Sequence, residues 1–226
     1  MKFKEFIKSL TKEDIGEELI KTVFISLLTS LFLFLIVYHL KLKYLEFMPK
    51  YGFLLFLAIL SYSLILPSVR HVRAYREFAC MSGMMIGMTI GMISGFLPGY
   101  IIGATNGMFY GSLFGMTIGI GFGVWNGKCC GVMGVMEGMM AGFMGGLMGA
   151  MTALMMFNDN LKAAGIIIFL ISGFILIGLN YLIYIETKGM EKKHKEDQFF
   201  TIFWSFVLTV ITIIFMVFGP RSVLLQ

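Results

Sequence analysis

The sequence predicts an all-α fold, a polytopic bundle of about seven transmembrane helices around a central module of three glycine-rich helices. Two observations lead to this fold class. The chain has 226 residues, is 58% hydrophobic, and contains several apolar runs of the roughly 20 residues that a helix needs to cross a bilayer. Within residues 80–156, glycine recurs at every fourth position, and the same stretch holds sixteen of the twenty methionines.

The glycine repeat forms stripes of small residues, which allow helix backbones in lipid to approach closely. Each glycine in a water-exposed helix would cost about 1 kcal/mol relative to alanine, so the repeat indicates helices packed inside a membrane. The repeat slips by one residue after Gly131. The glycines expected to pack helices together are Gly83, Gly87, Gly91, Gly95, Gly103, Gly107, Gly111, Gly115, Gly119, Gly134, Gly138, Gly142 and Gly146.

The chain divides into four segments. Residues 1–21 form a basic cytoplasmic segment, either an amphipathic helix on the membrane surface or a solvated tail. Two peripheral transmembrane helices follow in 22–79, the Gly/Met-rich module occupies 80–156, and two C-terminal transmembrane helices occupy 157–226. The predicted spans are 22–40, 51–69, 80–97, 103–125, 129–156, 161–185 and 199–218. Pro98-Gly99 is expected to stop the third span, and the four outer helices are expected to shield the module from lipid.

The lysines and arginines predict the orientation, because short cytoplasmic segments carry an excess of them. With the N-terminus inside, thirteen of the eighteen fall on the cytoplasmic side. We therefore expect a multi-pass protein of the plasma membrane with a cytoplasmic N-terminus and an outer C-terminus.

Sulfur-bearing residues define the candidate site. Cys80 begins the third span and Cys129-Cys130 begin the fifth, so all three thiols are expected at the cytoplasmic surface. Thiolate and thioether ligands select a soft ion such as Cu(I). Helical spacing places Met133, Met136, Met140 and Met144 on one face of the fifth span and its glycines on roughly the opposite face. We predict metal capture by Cys80, Cys129 and Cys130 and a relay along these methionines. The alternatives are that the methionines fill gaps between helices or face lipid.

Glu137 is the acidic residue that lies clearly within a span. Acidic residues there are rare and usually face a cavity, a partner or an ion path. We expect Glu137 to couple an ion or proton. The alternative is a protonated, hydrogen-bonded carboxyl with a structural role.

Enzyme motifs such as HExxH, GxSxG and the phosphate-binding loop are missing, so we expect neither an enzyme nor a nucleic-acid partner. The predicted function is transport or binding of a soft metal ion, with Cu(I) as the candidate ligand and no certain cofactor. A non-transporting membrane scaffold and a proton- or Na⁺-coupled carrier remain open. The expected partners are the lipid bilayer and, where the chain self-associates, further copies of itself.

The stretch from Gly127-Lys128-Cys129-Cys130 through Met148-Gly149-Ala150-Met151 resembles Gly/Met-rich prokaryotic membrane proteins of unassigned function. Some of these resemble components found beside copper-handling systems, which implies soft-metal chemistry. The glycine-rich spans beside Glu137 also resemble the rotor-ring subunits of rotary ATPases, from which the additional spans and the methionines depart. That second resemblance implies that Glu137 binds a proton or Na⁺.

Overall fold

Seven helices make up the part of the chain that the computed structural model describes, namely residues 14–40, 47–74, 78, 80–128, 131–187 and 198–220. They are α1 Asp14–Leu40, α2 Phe47–Ala74, α3 Cys80–Asn106, α4 Met108–Gly127, α5 Gly131–Met155, α6 Leu161–Thr187 and α7 Gln198–Phe218. Most of the predicted N-terminal surface segment lies outside the described residues, as do Cys129 and Cys130.

The helices are those of a multi-pass membrane protein. Six of them, α2 to α7, are long and apolar enough within the described residues to cross a membrane. The described apolar part of α1 is shorter and covers Ile20–Phe32. The all-helical transmembrane bundle predicted from the sequence is therefore confirmed.

Helix α3 joins the glycine-rich helices to the outer helices, because two of its faces are buried. One face carries Ile86, Ile90, Leu97 and Ile101, each at most 1% exposed, and belongs to the hydrophobic core shared with the outer helices. The other face carries glycines and packs against α4 and α5. One side of α3 is thus held by bulky side chains and the other by direct backbone contact.

The glycines of α3, α4 and α5 meet in layers of three small residues, one from each helix. A Cβ built on Gly95 would lie 2.8 Å from the carbonyl oxygen of Gly142 and 3.2 Å from that of Gly115. The layers are Gly87–Gly127–Gly134, Gly91–Gly123–Gly138, Gly95–Gly119–Gly142, Gly99–Gly115–Gly146 and Gly103–Gly111–Ala150. Because no side chain separates the three helices in these layers, their backbones contact one another directly.

A tight turn at Gly107 sets the register between α3 and α4. Gly107 has φ 103° and ψ 170°, a conformation open to glycine but not to residues with a Cβ. Its amide donates to the Gly103 carbonyl at 3.2 Å, and its carbonyl accepts from the Gly111 amide at 3.0 Å. One residue therefore ends α3 and begins α4. Glycines at equal distances on either side of Gly107 then face each other, so a four-residue repeat stays in register across the hairpin.

The prediction that Pro98-Gly99 ends the third helix is wrong. Helix α3 continues through Pro98 to Asn106, and α4 begins at Met108 rather than at 103. A proline removes one backbone hydrogen bond, which a membrane helix packed on both sides tolerates. The Asn106 amide nitrogen instead anchors the true turn by donating to the Phe215 carbonyl at 2.9 Å.

The turn between α4 and α5 explains why the glycine repeat slips by one residue after Gly131. Helices α4 and α5 are antiparallel, and their glycines pair symmetrically about the junction between residues 130 and 131. An unbroken repeat would place glycine at positions 135, 139 and 143, whereas the layers use positions 134, 138 and 142 of α5. The three-residue step from Gly131 to Gly134 restores glycine to the contact face, and Gly131 itself starts α5 with φ 69°.

The four outer helices do not enclose the module as predicted. Helices α2, α6 and α7 pack on α3, and α1 packs on α2 and α7, whereas α5 has extensive contacts with α3 and α4 only, among the described helices. The face of α5 opposite its glycines is consequently left on the outer surface. The outer helices pack where α3 offers large apolar side chains, and α5 offers only glycine and alanine on its buried side.

Replacing Gly119 by alanine should destabilise the module. The new Cβ would lie 2.8 Å from both the Gly142 oxygen and the Gly95 Cα, so two helices would have to move. Overpacking a close contact costs about 1–3 kcal/mol, and we expect a loss at the upper end of that range because backbone cannot rotate away. Unfolding by SDS titration in mixed micelles measures it.

Gly121, two residues further along the same helix, is the matched control because a Cβ there would meet no atom within 4 Å. Alanine at this position should leave the free energy of unfolding unchanged or raise it by up to about 1 kcal/mol through helix propensity. Equal losses in the two variants would show that the glycine layers do not hold the helices together.

Candidate functional site

The thiol cluster is predicted for the end of the bundle where α3 and α5 both begin. Cys80 is the first residue of α3, and its side chain is outside the described part, as are Cys129 and Cys130. The two helices run parallel, since Gly87 meets Gly134 and Gly95 meets Gly142. Gly87 shares its layer with Gly127 and Gly134, so Cys80, seven residues before Gly87, lies ~10 Å along the axis beyond that layer. The convergence of the three thiols stays a prediction.

The four methionines of the predicted relay lie on the outer surface of α5. Met133, Met136, Met140 and Met144 are between 56% and 64% exposed, and each follows the previous one by three or four residues. The glycines on the other side of the helix are buried in the layers. The thioethers therefore border the surroundings of the bundle rather than a space inside it.

Methionines of α3 extend this surface, which we call the methionine face. Its members are more than 40% exposed and are Met81, Met85, Met88, Met92, Met133, Met136, Met139, Met140, Met144, Met148, Met151 and Met155. The outer surfaces of α1 and α6 differ in kind. Their large exposed residues are isoleucine, leucine and phenylalanine, for example Phe24 of α1 and Ile171 and Phe174 of α6. Neither helix contains methionine. Lipid contact alone would not require two such different outer surfaces in one chain.

Glu137 lies at the edge of the methionine face and is half-buried. It is six residues after the start of α5, or ~9 Å along the axis. No hydrogen bond or ion pair joins Glu137 to another residue in the described part of the chain. The α3–α5 register puts it between the levels of Met88 and Met92, so a carboxylate accompanies the thioethers of both helices.

A second acidic group lies near the thiol end. The Ser82 hydroxyl donates to the Glu186 carboxylate at the end of α6, and the other carboxylate oxygen, Oε2, is buried without a hydrogen-bond partner among the described residues. No local sequence pattern predicts this contact, because the two residues are 104 positions apart. Nowhere in the described ranges do three or more His, Cys, Asp or Glu side chains come close enough to hold a metal ion.

A cluster of hydroxyl groups between α1 and α7 was missed by sequence reasoning. Ser205 Oγ lies 2.8 Å from Ser30 Oγ and 3.2 Å from Thr29 Oγ1, and it donates to the Ser26 carbonyl at 3.2 Å. Such hydrogen bonds between helices stabilise packing in a membrane. The signal was present, because Thr22, Ser26 and Ser30 are four residues apart, as are Thr201, Ser205 and Thr209.

Three further polar contacts connect α2 to two of its neighbours, α1 and α6. Arg70 donates to the Thr22 hydroxyl at 3.0 Å. His71 Nδ1 lies 3.2 Å from Asn180 Oδ1, and the same asparagine donates to Ser68 Oγ at 3.3 Å. These side chains are engaged with other helices, so the basic segment at the end of α2 also has a structural role.

A double-mutant cycle at Ser30 and Ser205 should reveal a coupling energy of about 1 kcal/mol, typical of hydrogen bonds between membrane helices. Both serines are changed to alanine, singly and together, and the free energy of unfolding is measured in mixed micelles. The control pair is Ser30 with Ser112, which is on α4 and donates to the Phe109 carbonyl. Additive effects at Ser30 and Ser205 would contradict the cluster.

Comparisons with models of known protein families, with curated proteins and with solved structures find no match for this chain. The resemblance to Gly/Met-rich membrane proteins therefore stays a prediction. The chain's own geometry is the ground for its proposed function.

Proposed function

We propose that this integral membrane protein binds and moves a soft metal ion, most simply Cu(I). The observation that carries the proposal is the methionine face, a set of exposed thioethers on α3 and α5, the two parallel helices whose first residues are Cys80 and the residue after Cys130. Thioether and thiolate sulfur favour Cu(I) over hard cations. The contrast with the apolar surfaces of α1 and α6 supports a role for sulfur beyond contact with lipid.

Capture takes place at the thiols. Cys129 and Cys130 are adjacent in sequence and precede α5, and Cys80 is the first residue of α3, which runs parallel to α5. Three thiolates provide the trigonal sulfur set that suits Cu(I). In the predicted orientation this end faces the reducing cytoplasm, where thiols remain free.

The relay follows the outside of α5. Steps of three or four residues from Met133 to Met144 correspond to ~5–6 Å along the axis, which is a short distance between successive thioether ligands. The glycine layers leave no space for a path between α3, α4 and α5, because backbone contacts backbone there. An ion that crosses the membrane on this route therefore needs the methionine face to be covered by another surface. Glu137 beside the path would compensate the charge of the ion.

A scaffold is the second candidate, and the same uncovered face favours it. The glycines contact one another within a single chain, so they are not available to join separate copies. Assembly would instead use the methionine face, whose flexible side chains adapt to many partners. The coupled-carrier alternative depends on Glu137, and Glu137→Gln would abolish its activity while the cysteine substitutions would not.

Replacing Cys129 and Cys130 together by serine should remove stoichiometric copper. The purified protein is loaded anaerobically with Cu(I), and its copper content is measured by elemental mass spectrometry. The variant should fall to background because serine hydroxyls are poor ligands for a soft ion. A control with Met108 and Met216 changed to leucine, both outside the methionine face, should keep its copper. Copper retained by the serine variant would refute capture by these thiols.

Replacing Met133, Met136, Met140 and Met144 together by leucine separates the two candidates. This change roughly conserves side-chain volume, so folding should survive. If the methionines relay the ion, Cu(I) uptake into proteoliposomes should fall to background while the thiol-bound copper remains. Unchanged uptake would exclude the relay. An absence of uptake in both proteins, with a stable oligomer in each, would support the scaffold.

A further inference from the structure

An apolar groove runs along the bundle between α4 and α7, on a different side from the methionine face. It has a volume of about 380 Å³ and is formed by Leu113, Thr117, Gly121 and Trp125 of α4 together with Trp204, Val207, Ile211 and Phe215 of α7, among others. The Thr117 hydroxyl is satisfied by the Phe114 carbonyl at 2.9 Å, so it presents no free donor to the groove. The lining suits a hydrocarbon.

The length of the groove matches one layer of a bilayer. From Leu113 to Trp125 the helix rises ~18 Å. Half of the hydrocarbon core of a bilayer is about 15 Å thick. A single acyl chain that enters from one leaflet would therefore extend along most of the groove.

The tryptophan end of the groove carries positive charge. The Arg73 guanidinium lies 4.6 Å from the centre of the Trp125 ring, and Trp125 contacts Trp204 edge to face at 5.2 Å. Lys128, just after the end of α4, is exposed. Tryptophan typically sits at the level of lipid headgroups, where its ring nitrogen meets water and its ring meets the chains. The two cations are thus placed where a phosphate would lie.

We propose that this groove is a binding site for an anionic phospholipid, with one acyl chain along α4 and α7 and the phosphate beside Arg73 and Lys128. Gly121 is what opens the groove, since a Cβ there would meet nothing within 4 Å. The site is independent of copper binding, because none of its residues belongs to the methionine face.

The chain has only two tryptophans, and both line the groove, so its intrinsic tryptophan fluorescence reports on this site. The protein is placed in phosphatidylcholine vesicles that contain a small fraction of brominated phosphatidylglycerol or, in parallel, brominated phosphatidylcholine. Bromine quenches tryptophan on contact. An attraction of about 1 kcal/mol per basic residue predicts that the anionic lipid binds about fivefold or more tightly.

Three variants test the two parts of the site. Gly121→Leu should fill the groove and reduce quenching by both lipids, whereas Gly178→Leu on α6, at another open position, should leave quenching unchanged. Arg73→Gln should lower the preference for the anionic lipid by about fivefold, because Lys128 remains, and should keep the quenching. Equal quenching by the two lipids in the unaltered protein would overturn the proposal. So would quenching that Gly121→Leu does not change, or a dimer that Gly121→Leu dissociates, since a second copy would then occupy the groove.

Discussion

Direct contact between glycine backbones in α3, α4 and α5 is the constraint on which the rest of the fold depends. Helices in lipid gain little by hiding apolar surface, so their association relies on close packing. Five layers of small residues bring three backbones together and leave no room for side chains between them. Everything larger must point away from the module. Isoleucine and leucine of α3 point towards α2 and the other outer helices, and methionine of α5 points outward.

The glycine period predicted this packing but not where the chain turns. Pro98 was the stronger break signal in the sequence, yet α3 passes through it, because tertiary contacts on both sides outweigh one missing hydrogen bond. The turn falls at Gly107, which looks like any other glycine of the repeat. The repeat identifies Gly107 as the turn only through symmetry. The glycines of α3 and α4 that contact each other lie at equal distances in the sequence on either side of Gly107. The slip after Gly131 marks the second turn in the same way.

Spacing along one helix predicted which residues share a face, but contacts between distant helices could not be read from it. The methionines of α5 lie opposite its glycines as the helical period requires. That α5 would remain uncovered depended on which helices pack on α3, for which the sequence carries no local signal. The Ser82–Glu186 contact and the groove beside Trp125 and Trp204 arise in the same way, from elements far apart in the chain.

The central functional claim is that sulfur at the shared end of α3 and α5 binds Cu(I). X-ray absorption at the copper edge, on protein loaded anaerobically with one equivalent of Cu(I), tests it most directly because it identifies the ligand atoms. We expect a coordination shell made of sulfur alone, with fewer sulfur ligands or weaker binding in Cys80→Ser. A shell of oxygen and nitrogen, or a spectrum unchanged by that substitution together with unchanged affinity, would contradict it.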